Sequence, residues 1–381
     1  MQPINFARLT IRLNWSYINS FALSGFLTWP NGAFLTLNGN GGRKQAGYAE
    51  WPHKRCSARI TLKLRILVFV LCVLFCAAGS IAQDAGVSAK KQETSKASPH
   101  QDPNTFVLVG AGDIAWCGNL TGAEATAKLI DKIPGTVFTA GDLAYDKGTY
   151  EEFEDCYQPT WGRFKNRTKP TPGNHEYNGS DASGYFRFWG KQAGDPAKGY
   201  YSFDLGAWHI IALNTNCDAA ALGGCGEGSP EELWLRQDLA GHANSCIIAF
   251  GHHALFSSGF SAKHARHTEL RTFWQDLYAA HADLVLAGHE HSYERFAPQD
   301  PDGQADPQNG IRQITVGTGG KSHTFLGFAQ ANSEVRNADT FGVLKLTLSP
   351  GKYKWEFVPE AGGTFQDSGE GTCHNAAASN H

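Results

Sequence analysis

The chain has 381 residues, 18% of them charged, and a formal net charge of −3. That balance provides no basic footprint, so a nucleic-acid partner is not expected. No internal repeat is present, which excludes a solenoid or propeller built on one.

In chain order, residues 1–82 read as material ahead of the folded protein. The apolar run from Ile66 to Ala78 follows a basic stretch with Lys54, Arg55, Arg59, Lys63 and Arg65, and Ser80 and Ala82 precede Gln83. Basic, apolar, then small is the pattern of a secretory signal peptide, with cleavage expected after Ala82. The run is shorter than the roughly 20 residues of a spanning helix, and bulky Phe75 before Cys76 does not suit a lipoprotein site. No stable membrane anchor should remain after cleavage, and the destination is the periplasm or the medium. About 60 residues precede this signal, so the true translation start is expected downstream, near Leu62. Residues 83–104 are polar and read as a flexible linker. Residues 105–375 form the domain proper, near the upper size for a single core.

Nine cysteines are present, of which Cys56, Cys72 and Cys76 fall in the leader or signal. The remaining six, Cys117, Cys156, Cys217, Cys225, Cys246 and Cys373, are an even set in an exported chain and suggest disulfides. Cys217 and Cys225 bracket a short Gly-rich loop and are the first expected pair. Cys117 with Cys156 and Cys246 with Cys373 are second choices among the many possible connectivities.

The domain opens on a buried strand, Thr105–Ala111, then a helix over Thr121–Lys132 and a strand over Thr136–Ala140. Tyr200–Asp204 and Trp208–Asn214 read as paired strands around Gly206. A helix at Pro230–Leu239 precedes a strand at Cys246–Phe250, and a helix at Thr268–His281 precedes a strand at Asp283–Ala287. Ile311–Val316, Val343–Leu348 and Tyr353–Val358 complete the expected strands. The alternation gives an α/β fold with a strand-rich C-terminal part.

Five short segments carry the chemistry: Gly112-Asp113, Gly141-Asp142-Leu143-Ala144-Tyr145, Gly173-Asn174-His175-Glu176, Gly251-His252-His253 and Gly288-His289-Glu290-His291. The Gly-Asp and Gly-His pairs follow expected strands, and in α/β sheets ligands gather beyond the carboxyl ends of strands. Each glycine is expected to let the backbone turn sharply and set the next side chain at the rim. Carboxylates, an amide oxygen, imidazoles and a phenol together suit iron, zinc or manganese. Calcium takes oxygen alone, and with no cysteine among the donors a structural zinc site is not indicated. Any one segment alone is weak, since Gly-Asp is common and a lone His is usually a surface or core residue; the order of all five carries the signal.

That order, GD, GDxxY, GNHE, GHH and GHEHSYER, resembles the calcineurin-like metallophosphoesterases, and within them it is most similar to the purple acid phosphatases. The resemblance spans about residues 104–375. It implies a four-layer α/β/β/α sandwich with two metals at the rim. Many relatives carry GDxH in the first segment; here Ala115 stands where that motif ends, and Tyr145 offers a hard anionic donor instead. The resemblance implies a ferric site of Asp113, Asp142, Tyr145 and His291. It implies a divalent site for Zn(II), Mn(II) or Fe(II) of Asp142, Asn174, His252 and His289, with Asp142 bridging.

The implied activity is hydrolysis of small phosphate monoesters by a metal-activated hydroxide. A phosphodiesterase or nucleotide hydrolase would use the same ligands, and a noncatalytic exported binding protein would keep the fold. His175 beside Asn174 is the expected proton donor to the leaving group, with His264 as a second candidate. His264 and His267 lie in the segment where the resemblance implies a substrate-facing His, though the spacing differs and His267 reads first as a surface residue at a helix start. His253 reads as a neighbour of the ligands, and Glu176 as a group that orients one of them. Arg295 is either structural or phosphate-facing.

Overall fold

The structure, a computed structural model, describes residues 103–178, 181–260 and 266–375. The expected leader and signal, nearly all of the linker, and His264 lie outside the described residues.

The chain runs through β1 (Phe106–Ala111), the short β2 (Ala115–Trp116), α1 (Thr121–Ile130), β3 (Thr136–Ala140) and the short β4 (Ala144–Tyr145). After several helical turns come β5 (Thr168–Thr171), α2 (Asn174–Tyr177) and α3 (Ser183–Trp189). The hairpin of β6 (Tyr201–Leu205) and β7 (Trp208–Ala212) leads to α4 (Pro230–Gly241) and β8 (Cys246–Phe250). Next are α5 (Arg271–Ala279), β9 (Leu284–Ala287), β10 (Tyr293–Phe296) and β11 (Arg312–Val316). The last strands are β12 (Ser333–Asn337), β13 (Gly342–Ser349), β14 (Lys352–Pro359) and β15 (Ser368–Thr372).

One sheet has the order β15-β14-β13-β1-β3-β5 and the other β12-β10-β11-β9-β8-β7-β6. β1, β3 and β5 are parallel in the first, and β7, β8, β9 and β11 are parallel in the second. Strand alternation explains the layering. On β8, Ile248 and Phe250 join the core shared with the first sheet, whereas Ile247 and Ala249 join a separate cluster. That second cluster holds Leu235 and Leu239 of α4 with Phe273, Trp274 and Leu277 of α5, so the two helices cover one face. Phe138 of β3 meets Phe250 of β8 edge to face at 5.7 Å between the two sheets. On the other side α1 packs against β13, and its buried residues Ala123, Thr126, Ala127 and Ile130 recur at helical spacing. The result is the α/β/β/α sandwich.

β3 and β8 coincide with the expected strands, and most others agree within one or two residues. The expected helix at Thr268–His281 is instead a 3₁₀ turn at Thr268–Leu270 followed by α5. β5 was not anticipated. Its sequence, Thr168-Lys169-Pro170-Thr171, is short and contains a proline, which an edge strand tolerates because one flank needs no donor. β5 is the edge strand of its sheet.

The six cysteines form Cys117–Cys156, Cys217–Cys225 and Cys246–Cys373, with Cα separations of 5.2, 5.1 and 5.5 Å. Cys246 begins β8, and the Cys373 N–H donates to the Gly351 carbonyl at the β13–β14 turn. That bridge therefore links the two sheets across a sequence separation of 127 residues. Closing so long a loop restricts the unfolded chain, so replacing both Cys246 and Cys373 with serine should cost about 2–5 kcal/mol in denaturant unfolding. An unchanged urea midpoint would show that the bridge contributes nothing to stability.

Candidate metal centre

The parallel strands deliver five loops to one rim. β1 leads to Asp113, β3 to Asp142 and Tyr145, β5 to Asn174 and His175, β8 to His252 and His253, and β9 to His289 and His291. The first two loops continue the pairing of β1 and β3. The N–H groups of Asp113, Ile114 and Ala115 donate to the carbonyls of Gly141, Asp142 and Leu143 at 3.1, 2.9 and 3.0 Å. Trp116 then pairs with Tyr145 in the β2–β4 ladder, which sets the phenol beside Asp113.

The backbone differs from expectation in one respect. Asp113, Asp142 and His289 themselves take left-handed φ values of 61°, 53° and 70°, and among the glycines before these donor residues only Gly141 does (φ 73°). The other glycines serve close approach. A Cβ on Gly173 would lie 2.2 Å from the Asp142 carboxylate, and one on Gly288 would lie 2.8 Å from that of Asp113. Left-handed φ at non-glycine residues is uncommon and stores strain, a cost found where geometry serves function.

Two sets of donor atoms face each other. In the first, the Tyr145 hydroxyl donates to Asp113 Oδ1 at 2.8 Å and lies 3.2 Å from His291 Nε2, which is itself 3.2 Å from Asp113 Oδ1. In the second, His252 Nε2 lies 3.0 Å from Asn174 Oδ1 and 3.2 Å from His289 Nδ1. Asp142 stands between them, its Oδ1 3.4 Å from His252 Nε2 and its carboxylate acting on the Tyr145 phenol. Ligand atoms of Asp113, Asp142 and His252 all fall within 4.8 Å of one another.

The electrostatics of this cluster call for a cation. Asp113 and Asp142 are fully buried, and buried carboxylates are costly unless paired. His252 Nδ1 bonds the Ala140 carbonyl at 2.8 Å, so its Nε2 faces a carboxylate, an amide oxygen and a second imidazole. Burial opposes charge on His252, but Asp142, Asp113 and the Ala140 carbonyl prevail and raise its pKa to about 9. A proton there stands in for a positive ion. Burial and the charge on His252 lower His289 to about 3, which keeps the ring neutral, the form that ligates a metal. Burial, then Asp113 and Asp142, push the Tyr145 phenol well above its ordinary range, so only a strong Lewis acid would ionise it. Mixed carboxylate, phenol, amide and imidazole donors fit two hard or borderline metal ions.

Supporting groups hold these donors in place. Glu176 is buried, and its carboxylate accepts four N–H bonds, from Gly173, Asp142, Leu143 and Ala144, at 2.7, 2.9, 2.9 and 3.3 Å. It orients the loop carrying Asp142 and Tyr145, while burial and Asp142 raise its pKa to about 7. Thr215 Oγ1 accepts from the N–H groups of His252 and His253 at 3.1 and 2.9 Å. Ser322 Oγ lies 2.7 Å from His291 Nδ1. Lys321 sits 4.0 Å over the Trp116 ring and 4.9 Å over Tyr145, with Asp146 at 3.5 Å.

His175 is partly exposed; its Nδ1 lies 2.6 Å from the Asp146 carbonyl and its Nε2 3.8 Å from Asp142. His267 departs from its surface reading: its ring lies 4.1 Å from His253 and 5.2 Å from His289. Arg295 is structural, bonding Asp367 at 2.7 and 3.1 Å and pairing with Glu334. Sequence reasoning passed over Thr215, Lys321 and Ser322. They follow β7 and β11, strands that were expected, but nothing in their residue types marks them out.

Residues 99–293 match the family model of the calcineurin-like phosphoesterases. Purple acid phosphatase 18 of Arabidopsis thaliana is 26% identical over 247 residues, covering 59% of this chain and 52% of the relative. Fe(3+)-Zn(2+) purple acid phosphatase 12 of the same plant is 26% identical over 255 residues, covering 59% and 52%. A solved purple acid phosphatase from yellow lupin (Lupinus luteus) seeds superposes with a TM-score of 0.55 at 20% identity, over 70% of this chain and 53% of that one. The chain spans about half the length of the curated relatives it matches.

The four bonds to Glu176 yield a direct test. Glu176→Gln replaces an acceptor with an amide donor facing N–H groups, so the loop should loosen and metal affinity fall about 10–100-fold. Chelator competition measures this; equal affinity in variant and wild type would refute the orienting role.

Proposed function

The chain belongs to the calcineurin-like phosphoesterase family, and from that premise we propose that it is an exported dinuclear-metal phosphomonoesterase similar to the purple acid phosphatases. The observation that supports this most is the meeting of two distinct donor sets at one buried carboxylate, Asp142. In this reading Asp113, Asp142, Tyr145 and His291 hold Fe(III), and Asp142, Asn174, His252 and His289 hold Zn(II), Mn(II) or Fe(II). Bound there, the two ions supply Lewis acidity that acidifies water and neutralises a phosphate group. The substrate is a small phosphate ester.

The remaining work falls to the protein's own groups. Buried Asp113 and Asp142 limit the positive excess of the centre, and neutral Asn174 preserves enough of it to attract an anion. Tyr145 gives the first set its preference for a ferric ion. His175 reaches the rim from the residue after Asn174. With its Nδ1 hydrogen-bonded to the Asp146 carbonyl, the proton it can give a leaving group sits on Nε2, so the donating form is the doubly protonated ring. Export is supported by three disulfides and by the signal-like N-terminal sequence. No helix among the described residues is long and apolar enough to cross a membrane.

Two measurements test this reading. Ferric ion bound to Tyr145 should colour the oxidised protein by charge transfer, and Tyr145→Phe should bleach it with the circular dichroism unchanged. A colourless wild type at full iron occupancy contradicts the assignment. His175→Ala should retain both metals and lose about 10²–10⁴-fold in kcat/KM on alkyl phosphates, whose basic leaving groups need a proton. The loss on p-nitrophenyl phosphate should be smaller; equal losses on both would mean that His175 binds phosphate and does not donate.

A further inference from the structure

Four large apolar side chains are strongly exposed among the described residues: Leu233, Phe260, Phe325 and Phe328. Scattered single exposed hydrophobics need no explanation, but a cluster of them does. Three of these four lie on two loops that pair with each other. Gly259 and Leu326 form an antiparallel bridge, and the Gly327 N–H donates to the Ser258 carbonyl at 2.7 Å. Antiparallel register from that bridge puts Phe260 opposite Phe325, with exposures of 81% and 87%, and Phe328 two residues beyond Leu326 at 95%.

Both loops spring from the metal centre. One continues from His252 and His253 through Ala254. The other continues from Ser322, whose hydroxyl meets His291, and the Thr324 N–H donates to the His291 carbonyl at 3.2 Å. Phe325 therefore follows, at one Cα step of about 3.8 Å, a residue hydrogen-bonded to a proposed metal ligand.

The bases of the loops are fixed. Buried Ser258 donates its N–H to Glu294 at 2.8 Å and accepts the Gln330 N–H at 2.9 Å, and Arg336 holds the Gly327 carbonyl at 2.9 Å. Anchored backbones that present the facing rings of Phe260 and Phe325 to solvent form an apolar platform, with Phe328 exposed on the same loop. A ring held in place by its backbone loses little further freedom on binding.

We propose that this platform is a leaving-group subsite, and that the preferred substrates are phosphate esters whose alcohol carries an aromatic or extended apolar group. The inference rests on the phosphoesterase reading above. With the phosphate at the metal centre, the ester's alcohol projects towards the rim, where the rings of Phe260 and Phe325 can stack on it. A short alcohol such as ethanol gains little from that surface.

The test compares phenethyl phosphate with ethyl phosphate, esters of similar leaving-group basicity, on the metal-loaded protein. The wild type should favour phenethyl phosphate in kcat/KM, chiefly through KM. Phe325→Ser and Phe260→Ser should each lower that preference ratio by about 10-fold, the scale of one aromatic contact, and Phe325→Leu should restore part of it. A wild type without preference, or a ratio unmoved in both serine variants, overturns the proposal. An unmoved ratio with Phe325-dependent binding to phosphatidylcholine vesicles would likewise overturn it and assign the rings to a lipid surface. If neither ester is hydrolysed, the phosphomonoesterase reading fails separately. The platform is then read from tryptophan fluorescence with phenethylphosphonate against ethylphosphonate, and equal affinities overturn it.

Discussion

Asp113 and Asp142 are buried side by side at the junction of two sheets, and much else in the rim follows from making that arrangement tolerable. Two carboxylates out of water repel each other and lose their hydration. The protein partly answers with directed hydrogen bonds: Asp113 takes the Tyr145 hydroxyl and the His289 N–H, and Asp142 takes the His175 N–H. The remaining deficit falls on His252, which holds a proton more tightly than a free imidazole does. A site that stabilises a proton so strongly among oxygen and nitrogen donors is built for positive charge. It is also built at a cost, since the three left-handed residues are themselves donors and are stable only because the structure around them over-determines their conformation.

That over-determination comes from the topology. Parallel strands point their carboxyl ends the same way, so β1, β3 and β5 of one sheet and β8 and β9 of the other deliver donors to a common edge. The inter-sheet core then fixes the distance between the two groups of loops, through contacts such as Phe138 on Phe250. Glu176 and Thr215 act at the next level. Each binds backbone and so orients whole loops, four N–H groups in the first case and two in the second, and Thr215 Oγ1 also lies 3.1 Å from His253 Nδ1. A donor set held in this way is organised before any ion arrives.

The sequence made this arrangement legible where one residue type had one job. The β8 strand is a continuous apolar run and β3 a short buried one, and the Asp and His residues beyond them are chemically distinctive. It was less legible where the cause is three-dimensional. Thr168-Lys169-Pro170-Thr171 has no strand pattern and is held as an edge by β3. Thr215 and Ser322 are ordinary hydroxyls whose importance comes from what happens to face them. His267 begins a 3₁₀ turn, which favours a surface reading, yet chain folding brings its ring onto His253. The glycines illustrate the same limit: their presence in the motifs is plain, but only the fold shows that Gly112 and Gly288 make room for a neighbour and leave the strained turn to Asp113 and His289.

The division of labour between the two parts of the rim follows from their burial. In the proposed function, a buried centre of carboxylates and imidazoles would recognise what all phosphate esters share, the charge and geometry of the phosphate group, and so would not by itself discriminate among alcohols. Discrimination must come from surface that touches the rest of the molecule, and that surface has to be exposed and close to the centre yet outside the donor set. The loop from Ser322 to Phe328 meets each condition. Its first hydroxyl orients His291, its third residue bonds the His291 carbonyl, and its next side chain stands in solvent. One short segment thus both steadies a donor and carries apolar side chains, which ties the placement of the exposed ring of Phe325 to the metal centre.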